Sequence, residues 1–564
     1  MANNVAPTSN AGDSSRPLDQ LSIQDAPAVS EISYPQGVKL QTTVASLCIV
    51  SLLYGLDLAI VAAALPSLTN YFQSIKDIGW YSSAYSIIFA SFGFLFGKLY
   101  GLFPAKRLYM ASLCIFELGS LVCTLAKSSP VFIVGRAIAG LGAAGLSPGS
   151  VVILSHCFPR NKLPIWTTVV ASSQLFGIVG APIIGGGLID WLGWRACFGI
   201  NIPLGVAAFA FVAFGLDSVD SEANHNLSLK AKLEKFDWFG TLLIVPGLIS
   251  LLLALQWGGS TYGWKDARII VLFVLFAVLL AAFGWCQYRL QDKAILPPRI
   301  LRKRTVLTGA WFSSCVEAIL SVTEYYISIY FQGIKGYTAT RSGLFILPLL
   351  AGIAAGNLLG GLGTTWLGYY NRKSLRIGIN RALCRPVNGG FFATCITDLE
   401  TAFMLATTIL APVASGLLTT IEFDESASKA AALLGFLGIA AGLGLQGPVV
   451  ALQTTMKQPD LSVGVAVTGF GATLGSAVWI VVSTAVFHSR LTTEIAQHSP
   501  SVNITLLESA GLSEIRNIVG SDRLRDVLLG YDEALVQTLY LPVGLAVASI
   551  VGSALLEWRS VKTQ

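Results

Sequence analysis

The sequence predicts an all-α integral membrane protein built as two six-helix bundles with two additional helices, about fourteen spans in all. Composition is the first reason: of 564 residues, 54% are hydrophobic and only 12% charged, where a soluble domain carries about 25% charged residues. The second is length. The apolar residues gather into blocks near the ~20 residues a helix needs to cross a bilayer. The third is placement, since the charges fall in short runs between the blocks.

Taken in order, blocks at 43–66, 79–102 and 108–126 are followed by two glycine-rich ones, 130–155 and 165–189, and by 198–216. Blocks 238–256 and 268–288 come next, then 307–331, 343–368, 403–420, 431–452, 463–487 and 535–556. AGLSPGSVVIL (144–154) resembles AGLGLQGPVVAL (441–452), as if the last six spans repeat the first six around a two-helix insert. Parallel repeats of this kind build transporters. The expected organisation is a disordered cytosolic tail at 1–40, a first bundle at 41–220, inserted helices at 236–290 and a second bundle at 305–560.

Lys and Arg set the orientation. Even-numbered connections carry Lys98, Lys106, Arg107, Arg160, Lys162, Arg299, Arg302, Lys303 and Arg304, while odd-numbered ones carry mostly single charges such as Lys76, Lys127, Arg195 and Lys429. Both termini are expected in the cytosol, and 488–534 outside as a long polar loop. The sequon Asn503-Ile504-Thr505 lies in that loop and is a candidate for glycosylation.

Several function classes drop out. The net charge of +6 recurs loop by loop instead of forming a patch, so nucleic acid is not expected. Nine cysteines show no CxxC pair, and His156, His225, His488 and His498 are scattered, so no metal and no cofactor is expected. GFLFGK (93–98) is one residue short of a nucleotide-binding loop and has Leu99 where Ser or Thr is required. No nucleophile motif appears, and the chain is not expected to be an enzyme.

The charges inside apolar blocks carry the chemistry: Asp57, Glu117, Arg136, Glu317 and Glu324. Each costs at least about 2.5–3.5 kcal/mol at mid-bilayer unless paired or facing water. Asp57 and Arg136 have opposite signs and are expected to meet across a cytosolic-side or central cavity. A carboxylate releases its proton more readily beside an Arg than in a dry pocket, so a group alternating between the two settings can carry protons. Glu317 and Glu324, two helical turns apart, share a face expected to line the cavity opposite span one; a structural hydrogen bond is the alternative role for each acid. Gly352, Gly356 and Gly360 recur at four-residue spacing, which lets helices approach closely; such seams serve packing, or slide during a transport cycle.

These residues resemble the major facilitator superfamily, within it the fourteen-span drug:proton antiporters of fungal type. LDLAIVAAALP (56–66) is similar to the family's first-span motif, with Asp57 on its acidic position. IVGRAIAGLGAAG (133–145) places Arg136 on the Arg linked to proton coupling, and GIVGAPIIGGGLID (177–190) sets Gly177, Pro182, Gly185 and Gly186 on the antiporter motif. WRACFGINIPLG (194–205) resembles the family's entry to span six. The loop motif keeps Gly97, Lys106 and Arg107 in GKLYGLFPAKR (97–107), but Gly101 stands where the family has an acid, which puts its interhelical charge lock in doubt.

A second departure is 372–402, a polar stretch where the family crosses in a few residues. Two readings stay open: a cytosolic insertion, or a translated unspliced intron, since Arg372-Lys373-Ser374 can be encoded by a run containing a splice-donor sequence.

The resemblance implies proton-coupled export of a small hydrophobic organic compound, a drug, toxin or secondary metabolite. The implied setting is a monomer in the lipid bilayer of the plasma membrane, with the vacuolar membrane as alternative. A proton-coupled importer of a siderophore or nutrient and a non-transporting membrane sensor are the rival readings.

Overall fold

The computed structural model describes residues 35–73, 77–159, 162–216, 230, 236–258, 262–369, 399–456, 458–498 and 521–556. In chain order the long helices are α1 (Val38–Phe72), α2 (Ile78–Leu102), α3 (Ala105–Leu125), α4 (Ser129–Cys157), α5 (Leu163–Leu192), α6 (Arg195–Gly215) and α7 (Trp238–Trp257). They continue with α8 (Ala267–Leu290), α9 (Arg304–Ile334), α10 (Ala339–Tyr369), α11 (Leu399–Leu418), α12 (Ala427–Thr455), α13 (Gln458–His498) and α14 (Ser521–Ala554). Among the described residues, 13 helices are long and apolar enough to cross a membrane. The remaining one is α11, whose apolar stretch Phe403–Leu418 is shorter.

Helix ends differ from the apolar blocks because hydropathy marks what sits in lipid, not where the helix stops. α1 begins inside the segment expected to be a tail. α13 runs on to His498 and α14 starts at Ser521, so both ends of the expected 488–534 loop are helical. Asn503 lies outside the described residues. So does 372–398, while 399–402 form the first turn of α11 instead of belonging to an insertion.

Two cores hold the helices together. One joins Leu47, Leu53, Tyr109, Phe116, Ala143 and Val212 of α1, α3, α4 and α6. The other joins Phe312, Ile319, Leu349, Leu437 and Leu539 of α9, α10, α12 and α14. Small residues decide how close the helices come. A Cβ on Gly352 or Gly356 of α10 would run into the carbonyls of Gly435 and Ile439 on α12. Gly438 and Gly442 of α12 answer with the carbonyls of Leu349 and Ile353, so the expected small-residue seam is a reciprocal backbone contact.

The two halves touch at one end. Ser462 Oγ of α13 donates to the Gly97 carbonyl of α2 at 2.7 Å, and Phe94 packs in a tilted arrangement against Phe470 with centroids 5.0 Å apart. Asn357 of α10 donates to Ser172 Oγ of α5 at 3.1 Å, and Gln453 of α12 to Thr167 Oγ1 at 2.9 Å. These contacts involve the ends of α2, α10 and α12 and the starts of α5 and α13. By helix alternation that is the end where α1 begins and α14 finishes.

Candidate functional site

Asp57 sits at the middle of α1 and Arg136 in the first third of α4, and the fold brings them into contact. Arg136 Nη1 donates to Asp57 Oδ2 at 2.6 Å, with the two side chains 0% and 1% exposed. Arg136 Nε donates to the Tyr81 carbonyl at 3.0 Å, and its guanidinium lies over the Tyr85 ring, 4.6 Å from the centroid. Asn201 of α6 donates to Asp57 Oδ1 at 3.2 Å and to Ser120 Oγ of α3 at 3.1 Å. The pair therefore does not face across a cavity. All five elements involved belong to α1–α6, and the charges are packed within that half because each is the other's only escape from a costly desolvation.

The network is not fully satisfied. Arg136 Nη2, Asn201 Oδ1 and the Tyr85 hydroxyl are buried without a hydrogen-bond partner.

Glu117 lies one turn before Ser120 on α3. Its carboxylate presses on Gly205 of α6, one turn beyond Asn201, where even a Cβ would collide with it. Both oxygens are buried with no hydrogen-bond partner, so Glu117 flanks the Asp57 network without joining it. In the other half, Glu317 is half-buried and Glu324 exposed. Ser321 lies between them on that face and accepts from Ser476 of α13 at 2.7 Å.

The glycines of α5 divide. A Cβ on Gly177 would collide with the Leu52 carbonyl and stand 2.7 Å from the Leu56 nitrogen of α1, and on Gly185 it would come 3.0 Å from Ile60 Cγ1. Gly186 has nothing within 4 Å. Pro182 sits in α5 between them. In the loop motif, Gly97 packs on α13, and Lys106 Nζ donates to the Ala213 and Leu216 carbonyls, closing the end of α6.

Residue-level reading missed Asn201 and Ser120. The signal was there for Asn201, an amide inside the apolar stretch 198–216. Replacing it, Asn201→Leu, leaves Asp57 short of a donor, a loss of about 1–3 kcal/mol. We expect a lower melting temperature and transport about tenfold slower, measured in reconstituted vesicles.

Comparison with known proteins decides the family. The Major Facilitator Superfamily model matches residues 47–397. The chain belongs to that superfamily. It is a multi-pass membrane transporter and not an enzyme. Similar curated proteins include the MFS-type efflux pump MFS1 of Arthroderma benhamiae, 34% identical over 96% of this chain and 97% of the relative. The efflux pump roqT of Penicillium rubens is 36% identical over 92% and 90%. The MFS thioclapurine efflux transporter tcpA of Claviceps purpurea is 36% identical over 97% and 96%. Among solved structures, a bacterial homolog of the human lysosomal transporter Spinster, inward-facing and unoccupied, aligns with TM-score 0.52 at 12% identity over 92% of this chain and 98% of that one. At that identity the likeness concerns the fold alone.

Proposed function

We propose that the protein exports a small hydrophobic organic compound in exchange for protons, and that Asp57 carries the proton. Efflux is supported by relatives that match almost the whole chain and are named for it. Proton coupling rests on the buried Asp57–Arg136 pair. A buried ion pair resists losing one member, because the remaining charge costs about 3–5 kcal/mol. A proton taken up by the carboxylate leaves the buried Arg136 guanidinium without its counter-charge, and that cost drives the pair toward a different arrangement. Asn201 holds the carboxylate in place, and Glu117, Glu317 and Glu324 are secondary proton or substrate contacts.

The positive-inside bias supports cytosolic termini, and we take the membrane to be the plasma membrane, with the vacuolar membrane as the alternative. With that orientation the end where the halves touch is cytosolic, which supports outward release of substrate. Relatives named for a thioclapurine and for aspyridones make secondary metabolites the leading substrate class. Gly177, Pro182, Gly185 and Gly186 shape α5 beside α1, and the chain acts as a monomer.

The test uses inside-out vesicles with a panel of dyes and fungal toxins. Uptake driven by an acid interior, and abolished when the gradient is collapsed, is the expected result. Uptake driven only by the opposite gradient would make the protein an importer.

A further inference from the structure

Gly101, in the last turn of α2, brings no carboxylate to this end of the bundle. Charge reaches the seam from another direction. Asp460 lies in the first turn of α13, where the helix N-terminus favours an acid, and is 7% exposed. Arg299, in the short helix Pro298–Leu301 between α8 and α9, donates to it twice: Nη1 to Oδ2 at 2.6 Å and Nη2 to Oδ1 at 2.8 Å. Such a fork fixes direction as well as distance.

The segment that carries Arg299 is part of the core. Ala294 and Ile295 are 0% exposed and Ile300 1%. Ile295 N donates to Asp237 Oδ2 at 3.1 Å, and Gln287 Nε2 donates to the same oxygen at 2.7 Å, tying the segment to α7 and α8. Leu296 N donates to Gln287 Oε1 at 2.9 Å. On its other side, Lys98 Nζ of α2 donates to the Ala294 carbonyl at 2.7 Å. One stretch of 13 residues, 291–303, therefore touches α2 in one half, α13 in the other, and the two inserted helices.

We propose that the α8–α9 linker is the strap that closes this end of the transporter, and that Arg299 and Asp460 are positioning residues that seat it so the Ala294 carbonyl receives Lys98. When the halves part, the linker stays on α13 through the two-bond fork. The Lys98–Ala294 carbonyl bond and the Ser462–Gly97 contact are the ones released. Membership of the transporter family is all this requires; the outward-release reading adds only which compartment the strap faces.

The reporter is Thr168→Cys. Thr168 is 1% exposed and packs against Gly361 across the sealed seam, so a thiol there reacts with a membrane-impermeant maleimide only when the seam opens. Labelling is measured over the unsubstituted background in right-side-out and inside-out vesicles. Asp460→Asn and Arg299→Gln should each raise the rate about fivefold, as loss of a partly exposed charge fork would. Asp460→Glu should leave it unchanged, and Arg299→Lys, which keeps the charge without the fork, should fall between. Lys98→Met should raise it as well.

Unchanged labelling in Asp460→Asn and Arg299→Gln would overturn the proposal, whatever Lys98→Met does. Should either fail to reach the membrane, the graded Arg299→Lys variant decides in its place. Faster labelling confined to right-side-out vesicles would keep the strap and overturn the cytosolic placement of the sealed end.

Discussion

Asp57→Asn is expected to abolish gradient-driven uptake while leaving substrate counterflow within a few-fold of normal. Counterflow exchanges substrate for substrate and needs no net proton movement, so it reports whether the cavity still forms and alternates. The substitution is close to isosteric: the amide oxygen can take the place of Oδ2 and accept from Arg136, while the amide nitrogen takes the place of Oδ1 and faces Asn201. What it cannot do is ionise. Arg136, fully buried against the Tyr81 carbonyl and the Tyr85 ring, then keeps its charge without a counter-charge. A stability loss below the about 3–5 kcal/mol of a fully broken buried pair is expected, because the hydrogen bond survives. Loss of both uptake and counterflow would mean that the pair is structural. Uptake that survives would move the proton to Glu317 or Glu324.

The sequence and the structure agree where the physics is local. An apolar block long enough to cross lipid must be helical, because only a helix satisfies its own backbone in hydrocarbon. All fourteen blocks accordingly coincide with helices α1–α14. The Asp57–Arg136 contact was legible for a related reason, since opposite charges in apolar segments must find one another. What was not legible is set by where side chains point. The pair was expected across a cavity, and it is packed inside one half because α6 brings Asn201 to the same carboxylate. Helix ends in water carry no hydropathy signal, so α13 and α14 extend past their apolar parts. The Arg299–Asp460 fork joins residues 161 positions apart, and nothing near either residue marks the partner.

Gly177→Val is expected to abolish transport, and Gly177→Ala to slow it by about tenfold, the cost of overpacking at one contact. The reason is the distance between α1 and α5. Gly177 sits against the backbone of Leu52 and Leu56, and Gly55 of α1 sits against the Gln174 carbonyl of α5 in return. Neither helix can accept a Cβ without moving the other, and the residue after Leu56 is Asp57. α1 has little freedom to absorb the push, since Arg136 is pinned by Tyr81 and Tyr85 and holds Asp57 at 2.6 Å. The displaced carboxylate then loses its 3.2 Å contact with Asn201 before it loses Arg136. Gly186, in the same motif, has no neighbour within 4 Å of an added Cβ. Gly186→Ala should therefore transport within about twofold of the parent, as surface substitutions do. Gly55→Ala should behave like Gly177→Ala. If Gly186→Ala were as damaging as Gly177→Ala, the motif would act by bending α5 and not by bringing it close to α1. Measured side by side in one vesicle preparation, the pair separates a glycine needed for contact from one that merely shares its motif.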